Sequence, residues 1–260
     1  MSWPTIKNRT YILSIAGFDP SSGAGITSDI KTFEAHNLYG LSVCTAVTVQ
    51  NDISFKNCVW IDETTIISQI EILFERFPIS VVKIGIIESW KTLSVVVNKL
   101  QELNSAIKII LDPILTSSTG FDFHSTSDFK ILTSVLENCY FITPNYNEIK
   151  ALFPDKDMEQ TIAFISEKTN IYLKGGHRND TKGLDEIYHS GIVQINIPPG
   201  VDKIVEKHGS GCVLSSALAS NLANNIALED ACRNAKMYIE QFLNSSDSLL
   251  GNHIYKANDK

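Results

Sequence analysis

Short apolar runs rich in isoleucine and valine recur along the chain, and stretches with helical spacing separate them. YILSIAG (11–17) has the continuous apolar character of a buried strand, and LSVCTAVTVQ (41–50) has it again. Between them Ile26, Ile30, Phe33 and Leu38 form a stripe that predicts a helix over 24–38. Ile66, Ile67, Ile70, Leu73 and Phe74 keep the same period. SVVKIGII (80–87) and KIILDPIL (108–115) predict further strands around a helix at about 90–104. CYFITPN (139–145) and IYLKGG (171–176) continue the alternation, and EIYHSGIVQINIP (186–198) has the look of a hairpin. Two helices, about 211–224 and 227–243, close the pattern; residues 245–260 are polar and are expected to be loose.

Near-continuous apolar strands alternating with helices require a mostly parallel sheet covered on both faces. The fold class is therefore α/β, a three-layer α/β/α sandwich with a mostly parallel central sheet. No Pro/Gly/Ser-rich linker, repeat or low-complexity segment divides the 260 residues. A single domain, 1–260 with its core at about 10–243, is expected. In such sheets ligands bind beyond the carboxyl ends of the strands. Here those ends carry GFDPSSGAG, Gln50–Asn51, Asp112–Pro113, TPNYNE and KGGH.

Composition narrows the function. Hydrophobic residues make up 43% of the chain and its net charge is −7 with no basic run, which disfavours a nucleic-acid surface. An acidic protein can still hold a small anion on backbone amides. The five cysteines show no zinc-like or C-x-x-C spacing, and their odd number, with no signal-peptide pattern, suits a reducing cytoplasm. No run approaches the roughly 18 apolar residues of a membrane span, so no membrane partner is expected.

Each candidate group has a plain structural alternative. In HGSGC (208–212), a Gly-Ser-Gly turn opening a helix leaves the amides of Gly209, Ser210, Gly211 and Cys212 pointing outward, an anion hole for a phosphoryl group. The alternative is an ordinary helix capped by Ser210. Cys212 at that terminus is expected to have a lowered pKa and to act as base or nucleophile, or else to be a small buried residue. DPSSGAGITSD contains only a weak G-x-G and is followed by no Walker lysine, so it can be a plain βα turn, with Asp29 and Lys31 solvated on the helix. Asp112 and Glu148 can each hold magnesium through water, or serve as an Asx-turn and a first-turn acid. Lys174 before Gly175–Gly176 suits a charge reaching a phosphate, or is a surface lysine at a strand end. The histidines show no ligand spacing.

Taken together, IAGFDPSSGAGITSDIKTF, AVTVQN, VKIGII, ILDPIL, ITPNYNE, LKGGH and HGSGCVLSSALA resemble, in order and spacing, the hydroxymethylpyrimidine/phosphomethylpyrimidine kinase family of thiamin biosynthesis, within the ribokinase-like superfamily. The resemblance spans about residues 10 to 240. It implies ATP-dependent phosphorylation of 4-amino-5-hydroxymethyl-2-methylpyrimidine and of its monophosphate, with Mg2+, by a cytoplasmic homodimer. It implies that Gly17, Asp19, Ala24 and Gln50 line the pyrimidine pocket, with Asp29 near the hydroxymethyl or phosphate end. It implies that Asp112, Asn145, Glu148, Lys174 and Gly176 face ATP, with magnesium on Asp112 and Glu148 through water. Gly209 to Cys212 become the anion hole, with Cys212 in the base position. Phe18, Ser22, Lys207, Ser210 and Ile86 depart from the family's usual residues, and Phe18 and Ile86 are expected to reshape the pyrimidine pocket. A pyridoxal kinase, a precursor-binding sensor without turnover and an NAD-binding oxidoreductase are the alternatives; the missing dinucleotide fingerprint speaks against the last.

Overall fold

A computed structural model describes residues 9–116, 128–178, 181–189, 191–201 and 203–254. In chain order the elements are β1 (Tyr11–Phe18), α1 (Gly25–Ala35), β2 (Tyr39–Gln50), β3 (Phe55–Trp60), α2 (Glu63–Phe74), β4 (Val81–Ile84), α3 (Trp90–Leu103), β5 (Lys108–Leu111), α4 (Phe129–Glu137), β6 (Phe141–Ile142), α5 (Tyr146–Leu152), α6 (Met158–Ser166), β7 (Asn170–Leu173), β8 (Asp185–His189), β9 (Ile192–Ile197), α7 (Ser210–Ala223) and α8 (Leu228–Leu243). The strands form one sheet in the order β3-β2-β1-β4-β5-β6-β7-β8-β9. β2, β1, β4, β5, β6 and β7 pair in parallel in that order, and β3, β8 and β9 join antiparallel at the two edges.

Successive strand residues enter opposite faces, as the two-residue period of a strand dictates. Leu13, Ile109 and Ile171 bury against α2 to α6, whereas Ile12, Ile110 and Tyr172 bury against α1, α7 and α8. This doubly covered sheet is the α/β/α sandwich that the apolar runs require. α7 lies inside the second core and is buried on nearly every side, from Cys212 to Ala223.

Three expectations need correction. The parallel strands are shorter than their apolar runs: 80–87 forms a strand only at Val81–Ile84, 108–115 only at Lys108–Leu111, and 139–145 only at Phe141–Ile142. Pro113 and Pro144 lack the amide that a ladder needs, which ends two of them. β3 was absent from the pattern because FKNCVW is an edge strand whose polar residues face outward. Finally, residues 245–254 are not loose. Leu249 accepts the His208 amide at 2.9 Å, the Lys207 ammonium donates to the Ser246 and Ser248 carbonyls at 2.6 and 2.7 Å, and the His253 ring stacks near Phe242. No helix among the described residues is long and apolar enough to cross a membrane.

Candidate active site

The carboxyl ends of the parallel strands open into a cavity of about 1080 Å³. Its two halves are built differently. At one end Gly17 stands one residue before the end of β1, Gln50 closes β2, and Ala24 and Ile86 complete a largely apolar wall. The Gln50 side chain makes no hydrogen bond among the described residues, so its amide is available to a ligand. Ile86 packs directly on the face of Gly17, where any Cβ would collide with it. Phe18 does not line this wall; it is the exposed last residue of β1, so of the two expected departures only Ile86 shapes the pocket.

Asp19 does not line the cavity, contrary to expectation, and Asp29 lies behind the cavity wall, against the Lys83 that lines it. Asp19 is buried beneath the 19–24 turn, where it accepts the Ser21 and Ala24 amides at 2.8 Å and pairs with His208 Nε2 at 2.8 Å. Burial alone would raise its pKa, but the His208, Ser21 and backbone hydrogen bonds outweigh it and hold the carboxyl below its usual value. Asp29 is not solvated either. It is fully buried, ion-paired with Lys83 at 2.9 Å, and hydrogen-bonded by Ser14 and Ser216 at 2.6 and 2.7 Å. A short polar helix residue looks solvated in sequence; here α1 turns that side inward onto β4.

The other half of the cavity is charged. The Lys174 ammonium, at the end of β7, is 2.9 Å from Asp112 Oδ1 and 3.6 Å from Glu148 Oε2. Thr143 and Ser215 also donate to Asp112, at 3.1 and 3.2 Å. Burial would neutralise these groups, yet Lys174 and Lys83 hold the Asp112 pKa down, and the two carboxylates hold the Lys174 pKa up. Glu148 shifts the other way, since burial and the Asp112 charge together outweigh Lys174. Asn145 and Glu148 also form a capping box on α5: the Asn145 side chain accepts the Asn147 and Glu148 amides, and Glu148 accepts the Asn145 amide at 2.7 Å. The local and the cavity-facing explanations of these two residues therefore hold together.

α7 points its N-terminus into this half. Gly209, not Ser210, is the N-cap, in a left-handed conformation with φ of 74°, and no side chain caps the helix. The first helical amides consequently keep their donor capacity. A Cβ on Gly211 would lie 3.3 Å from Lys174 Nζ and 4.0 Å from Asp112 Oδ2, so helix terminus, ammonium and carboxylate converge within one contact distance. Cys212 sits beside them, but its expected low pKa does not appear. Burial pushes the thiol up to about 11; the Lys83 charge and the Gly25 backbone oppose this, while Asp112 and Asp29 reinforce it. The helix terminus cannot offset desolvation flanked by two carboxylates.

Residues 19–257 match the family model described as phosphomethylpyrimidine kinase. The chain belongs to the phosphomethylpyrimidine kinase family. It is 33% identical over 249 residues to the hydroxymethylpyrimidine/phosphomethylpyrimidine kinase of Aquifex aeolicus (strain VF5), covering 91% of this chain and 95% of that protein. The enzyme of the same name from Escherichia coli (strain K12) is 30% identical over 255 residues, covering 94% and 95%. The crystal structure of phosphomethylpyrimidine kinase from Clostridium difficile 630 superposes with a TM-score of 0.74 at 30% identity, covering 89% of this chain and 98% of that one. The pyridoxal kinase from Staphylococcus aureus in complex with pyridoxal has a TM-score of 0.80 at 20% identity, covering 95% and 93%, and shares the ribokinase-like fold. The chain is thus a phosphotransferase, and the oxidoreductase alternative falls away.

Several residues of this kinase's site escaped the sequence. Lys83 had a signal, a lone charge inside a strand buried on both faces. His208 had none, since its partner Asp19 lies 189 residues away in sequence. Asp185, Lys236 and Glu240 also line the cavity, and no motif in the sequence marks them.

Proposed function

We propose that this kinase transfers the γ-phosphoryl group of ATP to 4-amino-5-hydroxymethyl-2-methylpyrimidine and then to its monophosphate, in thiamin biosynthesis. The observation that carries the reading is the convergence of the uncapped α7 terminus, Lys174 and Asp112 at the charged end of a cavity whose other end is apolar with one unpaired amide. Phosphoryl transfer through a loose transition state needs positioning and charge stabilisation more than covalent chemistry. The amides of Ser210, Gly211 and Cys212 donate to the oxygens of the moving group, and Lys174 leaves its carboxylates to meet the phosphates. The aminopyrimidine lies between Ala24, Ile86 and Gln50, with its hydroxymethyl group toward Cys212. Asp112 and Glu148 are hard oxygen donors around a single ammonium, a set that fits a hydrated Mg2+ arriving with the nucleotide. When bound, that ion neutralises charge on the phosphate oxygens. Asp19 and Asp29 act from beneath the wall, the first by fixing the 19–24 turn, the second by holding Lys83.

A homodimer in the cytoplasm belongs to the same proposal; the exposed outer face of the β2–β3 ribbon, with Val47, Val49 and Val59, supports the first part, which light scattering tests. The activity itself is tested by ADP release with the pyrimidine, its monophosphate and pyridoxal in separate assays. ADP release with both pyrimidines is expected. No release with either overturns the proposal, and release with pyridoxal alone assigns the site to vitamin B6 chemistry.

A further inference from the structure

The cavity's charged half is bounded by two loops that leave the same end of the antiparallel β8–β9 pair, where Asp185 pairs with Ile197. One follows β7 and includes Gly175, Gly176, Lys182 and Gly183. The other follows β9 and carries Pro199, Gly200 and Val201. Both line the cavity, and between them α8 presents Lys236, Ile239 and Glu240.

Lys236 is buried, and its ammonium has three partners. It donates to the Gly183 carbonyl at 2.7 Å, pairs with Asp185 Oδ2 at 3.1 Å, and lies 3.6 Å from Glu240 Oε1. Each carboxylate in turn grips backbone. Asp185 accepts the Gly175 amide at 2.6 Å and the Tyr172 hydroxyl at 2.9 Å. Glu240 accepts the Gly200 amide on both oxygens, at 3.0 and 3.2 Å. The chain Gly175–Asp185–Lys236–Glu240–Gly200 therefore fastens both loops to one face of α8. Buried ion pairs are expensive to desolvate and are weak evidence for stability by themselves. This one is satisfied at every arm and is spent on two loops bordering the cavity.

We infer that Lys236 is a positioning residue for the nucleotide: it sets the spacing between the two loops before ATP arrives. This rests on the reading of the charged half as the nucleotide side. A pre-set gap spares the ordering cost that mobile loops impose on a ligand. Among the described residues the network's hydrogen bonds and ion pairs reach none of Gly17, Ala24, Gln50 and Ile86, which bound the pyrimidine half, so its affinity is insulated.

The test is calorimetric binding of a non-hydrolysable ATP analogue, together with KM for ATP and for the pyrimidine. In Lys236→Met the analogue Kd and the ATP KM rise about tenfold or more. The pyrimidine KM moves less than about twofold, and kcat at saturating ATP falls far less than the ATP KM rises. Lys236→Arg, which keeps the charge, recovers part of the affinity. A folded Lys236→Met with unchanged analogue Kd overturns the inference, as does a pyrimidine KM that rises in step. Lys236→Met leaves two carboxylates uncompensated and can fail to fold. Glu240→Gln keeps an acceptor for the Gly200 amide and loses only the charge, so it decides in that case: a several-fold weaker analogue supports the inference, and an unchanged Kd overturns it. Native protein that binds no analogue at all overturns the proposed function instead, which separates the two failures.

Discussion

Burial keeps the Cys212 side chain a thiol in the free protein at neutral pH. With its pKa pushed up to about 11, the ionised fraction in the free enzyme grows about tenfold per pH unit through the neutral and mildly alkaline range. If the thiolate accepts the hydroxyl proton, kcat/KM rises with pH from 7 to 9.5 in the native enzyme, since that parameter reports ionisations of the free enzyme. The rise disappears in Cys212→Ala; a flat native profile removes Cys212 from proton transfer. Gln50 carries a second prediction. Its amide has no partner among the described residues, and it offers a donor and an acceptor to a ring that presents one of each. Gln50→Leu is expected to lower kcat/KM for the aminopyrimidine by roughly tenfold or more while pyridoxal turnover, where measurable, changes little. An unchanged ratio between the two substrates shows that Gln50 does not read the ring. At this scale the sequence marks which residue types gather at strand ends, but not their neighbours. The raised thiol pKa and the burial of Asp29 follow from groups brought in from α1, β4 and β5, and no local spacing encodes that meeting.

In the proposed reaction, α7 is the element that meets the transferred phosphoryl group. Its terminus carries no side-chain cap, and a Cβ added at Gly211 would stand at contact distance from Lys174 and Asp112. Gly211→Val puts a branched side chain into that contact. The expected outcome is a folded protein with kcat lowered by roughly 10² or more, the size of effect seen when one oxyanion donor is lost. Near-native turnover in a soluble Gly211→Val protein dissociates the helix terminus from transfer. Most helices and strands were legible as periods of apolar residues because each buries one stripe or two whole faces. β3 was not, since an edge strand with polar outward positions lacks a continuous run. β6 was legible as an apolar run but not in its length, because Pro144 cuts its ladder after two residues.

The whole molecule binds its C-terminal segment more tightly than its polarity suggests. His253 packs against Tyr238 and Phe242, and the Tyr238 hydroxyl is 3.0 Å from its Nδ1. Burial, with Lys31 and His36 nearby, pushes its pKa down to about 4. The unfolded chain takes up this proton near pH 6.5 and the folded chain only near 4, so the contribution to stability is full above 6.5 and is lost as pH falls through that window. Melting temperature is expected to drop more steeply between pH 6.5 and 4 in the native protein than in His253→Gln. Equal slopes mean that the imidazole is not the titrating group. Layering, sheet direction and the end of the sheet that carries the site were all legible, because they follow from alternation of apolar elements and from the rule that ligands sit beyond the carboxyl ends of parallel strands. The clasp of 245–254 on the loop before α7 was not, because its bonds are mainly to backbone carbonyls, which any sequence supplies.

The glycines around the cavity divide into two kinds, and a library of all single substitutions would separate them. Gly25 and Gly209 are left-handed, with φ of 61° and 74°, and a Cβ on either would collide with another chain segment's carbonyl, that of Gly17 or of Gly23. Every replacement there, alanine included, should reduce the amount of protein that accumulates in the cell. Gly176 is the opposite case: a Cβ there meets nothing within 4 Å, because it would project into the cavity. Alanine at 176 should accumulate normally and yet fail to support growth that depends on the enzyme. Scored for abundance and for growth in parallel, this one position would mark the space that the nucleotide needs.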